Sequence, residues 1–484
     1  MALYGPPAFL RQALAYAAVS LLLIAPVLVQ ENVQAGDLAS HLYNTWLVLQ
    51  VKAGAPLGLE VAPQYSNILF DWWLEGLWRL GGPVFAEKAA VSVAVLLFFW
   101  GAFFLLGRLT ERSAWPSAPL LAMLSYGWIY HQGFFNYYLS CALGFWAVGL
   151  AAAGGAAALV AAAALLGAAA LGHLMGAALA AACAAFVLAQ RKLSPERRKW
   201  LLAGGILGVA GIAAALSAAL PTVRMTARWL HLSGITPFLA YHPSRYMAPG
   251  LLLALYWVTA VLWVAARFRR RAFDHPAAPL MVLMLAGLAM LPTSLVWPGT
   301  RQSLFFIDWR LALWFTLFLH AWLCARLPFR FTLGACSAAA VIYFVFLFSD
   351  WRTLGQAERA FHETVRRLPH GSRAVTDVTT MPAGMNPMLH MIDRACIGHC
   401  FSYGNYEPST LAFRLRVRPG SPAVLDSPLD VFALQEGRYV VRPRDVPLYG
   451  VFLRQTEPFT LEVRELNVGE KIRRAIVPLP AGWF

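Results

Sequence analysis

The stretch Gly36-Asp37-Leu38-Ala39-Ser40-His41-Leu42-Tyr43-Asn44 puts an acid, an imidazole and an amide at helical spacing. Asp37, His41 and Asn44 then share one face, and Leu38, Leu42 and Trp46 face protein or lipid. An acid at a membrane interface costs free energy unless it is paired or functional, which makes Asp37 a site candidate with His41 one turn on. The competing explanation is an N-terminal helix cap or a solvated loop carboxylate. Further on, Asn67, Asp71, Glu75 and Arg79 recur every four residues among Phe70, Trp72, Trp73, Leu74, Leu77 and Trp78. That alternation predicts an amphipathic helix lying in the interface, its tryptophans at headgroup depth and its polar face toward water or a cavity. Glu75 and Arg79 read as a solvated i,i+4 pair, whereas Asp71 and Asn67 remain site candidates.

Other polar groups gather between later apolar runs. His131, Gln132 and Asn136 lie between two of them, His173 sits at a tight turn, and His231, His242 and Arg245 occupy a long loop. Arg301, Asp308 and Arg310 precede a late apolar run. Each histidine alone reads as a capping or interfacial residue; it is their concentration on one membrane face that suggests a shared site.

The elements that position these residues must be membrane helices. The 484 residues are 59% hydrophobic and 13% charged, with a mean hydropathy of +0.57. Ordinary soluble domains carry roughly 25% charged residues, so disorder, collagen, a disulfide scaffold and a soluble enzyme are excluded. Between Arg112 and Arg191, 78 residues pass without one Asp, Glu, Lys or Arg. Spans are expected near 12–30, 89–107, 117–130, 134–152, 155–171, 173–189, 200–220, 250–266, 277–297, 309–325 and 331–349, about eleven in all. Under this count fourteen Lys and Arg residues fall in loops on one side, from Arg11 to Arg330, and eight bases with seven acids fall on the other. The asymmetry places the amino terminus in the cytoplasm and, for an odd number of spans, the carboxy-terminal region outside. Arg11, the first apolar run and the triplet Val33-Gln34-Ala35 also fit a cleaved signal peptide, which would leave the downstream orientation unchanged. The Ala- and Gly-rich stretch 147–185 reads as close helix packing. Although the net charge is +15, its placement around apolar runs argues against nucleic acid as a partner.

The expected organisation is a membrane region over 1–349, whose first outer loop spans 31–88, followed by a small α+β domain over 350–484. A loop of nearly sixty residues should hold elements of its own. In the tail, 351–368 reads as a helix, and 411–417 and 438–441 as strands. His390, Asp393, Cys396, His399 and Cys400 invite a zinc reading but lack a paired C-x2-C spacing; a Cys396–Cys400 disulfide is one alternative and free thiols the other. Tyr403, Asn405 and Tyr406 could meet a sugar, although turn chemistry explains them equally well.

Together, Gly36-Asp37 with His41, the helix from Asn67 to Leu77, the segment from Gly133 to Gly144, Gly172-His173 and Asp308-Trp309-Arg310 resemble the type-C (GT-C) glycosyltransferase superfamily. The resemblance covers most of 1–349 and lies in topology more than in any one string. It implies a mainly α, polytopic transmembrane bundle in a bacterial inner membrane that moves a sugar, with inversion, from a polyprenyl-phosphate donor to an envelope glycan, lipid or protein acceptor outside. Asp37 would then be the general base, and Arg310, Arg301 or Arg245 would neutralise the carrier phosphate. Asp37 lacks the second acid that follows it in protein mannosyltransferases, and no second-loop carboxylate matches the metal-binding acids of oligosaccharyltransferases. No cofactor is therefore expected, and a divalent metal is not favoured. Asp71 or His41 could replace the missing acid. Two other classes remain open: a transporter or flippase, and an inactive scaffold subunit.

Overall fold

The computed structural model describes residues 6–223, 229–241, 243–296, 303–380 and 386–477. Apolar runs dictate most of it. Helix α1 (Pro6–Val29) crosses first, and α2 (Leu38–Lys52) and the short strand β1 (Leu59–Val61) form the start of the first loop. α3 (Leu69–Thr110) joins the expected interfacial helix to the next span. The junction is Gly82, whose φ of 78° is open to glycine, followed by Pro83, which cannot donate a helical hydrogen bond. The expected span at 117–130 is instead two pieces, α4 (Ala118–Ser125) and α5 (Trp128–Gln132). Between them Gly127 lies so close to the Pro237 carbonyl that a Cβ would stand 2.5 Å away. A side chain there would keep the chain from passing.

α6 (Phe135–Ala153), α7 (Ala156–Gly172), α8 (Leu174–Lys192) and α9 (Pro195–Ala219) carry the Ala/Gly-rich region, and their small residues let helices meet closely. A Cβ on Gly144 would lie 2.7 Å from that of Ala180. Beyond β2 (Thr222–Val223) come α10 (Trp229–Leu232), α11 (Pro243–Phe268) and α12 (Ala277–Met290). β2 forms a small antiparallel sheet with β3 (Ser294–Val296) and β4 (Ser303–Leu304), which cuts the expected span at 277–297 short and leads into α13 (Ile307–Cys324). Among the described residues seven helices are long and apolar enough to cross a membrane, with α7 and α12 as shorter apolar helices.

α14 (Phe329–Val365) runs unbroken from the last apolar run into the polar tail, so the helix read at 351–368 is its continuation. In the tail, β5 (Arg373–Thr376) is central to a four-stranded sheet. It pairs parallel with β7 (Phe401–Ser402) and with β9 (Leu448–Thr456), and β9 pairs antiparallel with β10 (Phe459–Glu465). β6 (Val378–Thr380) pairs with β11 (Ala475–Val477), and α15 (Met391–Cys396), α16 (Tyr406–Thr410) and α17 (Pro428–Gln435) are short. Two strand expectations change. Of 411–417 only β8 (Leu415–Val417) is a strand, and it pairs antiparallel with β1 of the first loop. Residues 438–441 make only a bridge, between Val440 and Lys471.

The tail thus rests on the first loop. Buried Arg394 of α15 forms ion pairs with Glu358 of α14 at 3.0 Å and with Glu87 of α3 at 3.5 Å, fastening tail to bundle. Removing one member would strand an opposite charge in the interior, at a cost of about 3–5 kcal/mol.

Candidate active site

Backbone contacts fix Asp37. The Gly36 and Asp37 amides donate to the His131 and Gln132 carbonyls at 2.8 and 3.0 Å. Two glycines allow this approach. Gly133 has φ +77° and a Cβ there would lie 2.3 Å from the Asp37 nitrogen; a Cβ on Gly36 would lie 2.9 Å from the Gln132 oxygen. Asp37 occupies the N-cap position of α2 with φ −71° and ψ −5°, yet its side chain makes no capping hydrogen bond. The capping explanation of this acid is thereby removed. Its side chain is 28% exposed, and His390 Nε2 stands 3.6 Å from Oδ1. Burial pushes the Asp37 carboxyl above its usual range, against the opposing pull of His390, His41 and Arg310.

One turn along α2, His41 Nδ1 meets Asp71 Oδ1 at 2.9 Å. Asn136 Nδ2 donates to Asp71 Oδ2 at 2.8 Å, and Asn136 Oδ1 accepts from the Phe70 amide, so three of the expected site residues form one chain. Burial opposes a charge on His41, but the Asp71 carboxylate outweighs it and holds the imidazole up at about 9. Close by, Ser40 Oγ donates to Glu407 Oε1 at 3.1 Å, and burial raises that carboxyl to about 7. Asn405 donates to Asn44 at 2.7 Å. Glu75 is more than half of a solvated pair: it accepts from Arg79 and Lys52 and also from buried Arg414 at 2.9 Å, which reaches the Asp71 carbonyl as well.

The three arginines separate clearly. Arg245 pairs with Asp350 at 2.6 Å, so its charge is already neutralised. Arg301, like His242, lies outside the described residues. Arg310 is packed against the rings of Phe134 and Tyr137, each 4.7 Å from its guanidinium carbon, and among the described residues no carboxylate comes within ion-pair distance of it. Its Nη1 faces His173 Nε2 at 3.0 Å. His173 Nδ1 already accepts from the Met175 amide at 3.2 Å, and an imidazole that keeps one N–H offers a single acceptor. Two donors therefore compete for one lone pair, and an incoming anion would relieve the contest at Arg310.

Other expected residues serve the framework. His131 is fully buried, 4.5 Å from the Tyr241 ring and 3.3 Å from the Gln34 carbonyl. Asp308 accepts from Thr293 and from the Trp309 amide and lies 3.4 Å from His231. Asn67 takes φ 56°, a left-handed turn that asparagine tolerates, just ahead of α3.

The sequence reading missed what the tail contributes. In sequence, His390 and Asp393 read only as metal-ligand types. In the fold, His390 Nδ1 is 2.6 Å from Asp393 Oδ2, and Ser402 Oγ donates to the other Asp393 oxygen. Cys396 and Cys400 are bonded to each other, and His399 contacts the Leu368 carbonyl. Among the described residues no group of three or more His, Cys, Asp and Glu is arranged to hold a metal ion. Of the tail's possible sugar contacts, Tyr403 donates to Asp445, and the Tyr406 ring packs 5.5 Å from His390. An alternation of residue types could not have signalled Arg414 or Glu407, because both act across more than 300 residues of chain.

No protein-family model matches the chain, and no curated protein matches it. Among solved structures, it is similar to the crystal structure of ArnT from Cupriavidus metallidurans in the apo state, at 13% identity and a TM-score of 0.49, over 93% of this chain and 94% of that one.

Proposed function

We propose that this membrane protein is a glycosyltransferase of GT-C type. It transfers a sugar from a polyprenyl-phosphate donor to a cell-envelope acceptor on the outer side of an inner membrane, with inversion. The observation that carries this reading is a pairing of opposite demands: Asp37, held by backbone, free of a cap and partly open, lies within electrostatic reach of Arg310, which among the described residues has no acid partner. Asp37 removes the acceptor hydroxyl's proton as its oxygen attacks the anomeric carbon. Arg310 receives the phosphate as the bond between that carbon and the phosphate oxygen breaks and the electron pair leaves with phosphate. Phe134 and Tyr137 pack against the guanidinium beside the site, and its Nη1 faces His173. His41, Asp71 and Asn136 fix the helix that carries Asp37 and form the wall of the site. The carrier's apolar tail stays in lipid beside the bundle.

The test uses purified protein in nanodiscs with synthetic polyprenyl-phosphate sugars, measuring release of polyprenyl phosphate. Asp37→Asn should lower turnover by roughly 10²–10⁴-fold with an unchanged melting temperature. Near-normal turnover in that variant would remove Asp37 from the mechanism.

A further inference from the structure

A base must be ionised before it can act, and Asp37 sits where burial favours the neutral acid. Something has to oppose that. Three cationic groups face it: His390, His41 and Arg310; Asp393 adds a like charge from behind His390. His41 is committed to Asp71 at 2.9 Å. Arg310 makes no ion pair with Asp37, and among the described residues His390 is the one cationic side chain within 4.0 Å of its carboxylate.

His390 is built for one orientation. Its side chain is 5% exposed, Nδ1 is locked on Asp393, and Asp393 is itself held by Ser402. The remaining ring nitrogen, Nε2, is buried without a hydrogen-bond partner and points at Asp37 across 3.6 Å. The charged and titratable groups facing His390 are Asp393, Asp37 and Glu407, with the Tyr406 ring alongside. All three acids favour an imidazolium. A ring locked at one nitrogen and unpartnered at the other, beside a carboxylate, is the arrangement by which one carboxylate sets a histidine's tautomer and the histidine serves a second group.

We propose that His390, held by Asp393, is a positioning residue that keeps Asp37 ionised, so that the C-terminal tail completes the site formed by the first membrane loop. The proposal rests on the reading of Asp37 as the base. It assigns the tail a chemical task, which neither its short strands nor its distance in sequence announces. It also accounts for the dense contacts between tail and first loop: the Ser402 amide donating to the Tyr43 hydroxyl, Asn405 to Asn44 and Ser40 to Glu407, with β1 paired to β8, all fix His390 against α2.

The experiment titrates the two groups directly in the full-length protein in nanodiscs. Carbodiimide with glycine ethyl ester labels protonated carboxyls, and mass spectrometry of the Asp37 peptide across a pH series gives its midpoint. His390→Gln should raise that midpoint by about one pH unit or more, a tenfold change in the ionised fraction, whereas His390→Lys, which keeps a cation, should restore it. Coupling is reciprocal, so Asp37→Asn should lower the midpoint of His390, read by deuterium exchange at its ring C2–H. That arm stands even if both His390 variants fail to fold. An Asp37 midpoint unmoved by His390→Gln, or a His390 midpoint unmoved by Asp37→Asn, overturns the proposal. The two readings fail separately. Lost turnover in Asp37→Asn with unmoved midpoints sinks only this inference, and retained turnover with moved midpoints sinks the base while leaving the coupling.

Discussion

At the scale of single residues, the site is a set of charges whose partners decide their use. Arg245 has an acid partner and, among the described residues, Arg310 has none, so two arginines indistinguishable by type differ in what they can still bind. The sequence displayed Asp37, His41 and Asp71 because helical spacing put them on adjoining faces. It could not display His390, since the distance between residues 37 and 390 along the chain carries no periodicity. His41 gives a prediction with a definite sign. Its folded value near 9 lies above the ordinary 6.5, so the folded state holds a proton that the unfolded chain releases between those limits. Its stabilisation is complete below pH about 6.5 and fades as pH rises toward 9, by an amount on the order of 3 kcal/mol. Glu407, raised to about 7, acts in the same direction at lower pH, from about 4.5 upward. Melting temperature should therefore fall from pH 6.5 to 9, and His41→Gln should flatten that slope. An equal slope in the variant would show that the His41–Asp71 pair is not its source.

At the scale of elements, hydrophobic runs made most helices readable, because lipid demands about twenty apolar residues per crossing. Breaks were less readable. The division of 117–130 into α4 and α5 follows from Gly127 meeting a carbonyl of another element, which no local pattern encodes. At Gly82-Pro83 the helix geometry breaks, yet α3 continues on both sides, so the interfacial helix and the next span are one element rather than the two that the sequence suggests. β1 and β8 were hardest, since each is three residues long and finds its partner over 350 positions away. The closest approach in the site supplies the element-scale test. Gly133→Ala puts a Cβ against the Asp37 backbone at a positive φ, where the methyl group is strained whatever room is made. The variant should lose more than about 1 kcal/mol of stability and a larger share of turnover than of stability, because Asp37 itself must shift. Wild-type turnover in Gly133→Ala would mean that this contact does not position the acid.

At the scale of the whole molecule, composition and the placement of Lys and Arg were enough to read a polytopic membrane bundle with an α+β tail, and the helices and strands found have that character. What composition could not convey is that the tail closes over the first loop through Arg394, Arg414, Asn405 and Glu407, so that the site draws on both ends of the chain. In the proposed mechanism a carrier phosphate rests at Arg310 while its sugar faces Asp37. A cryo-electron microscopy map of the protein in nanodiscs with undecaprenyl phosphate tests it most directly. Phosphate density is expected within hydrogen-bond distance of the Arg310 guanidinium, on the side facing Asp37. Phosphate density at another site, with Arg310 still meeting only His173, would contradict it.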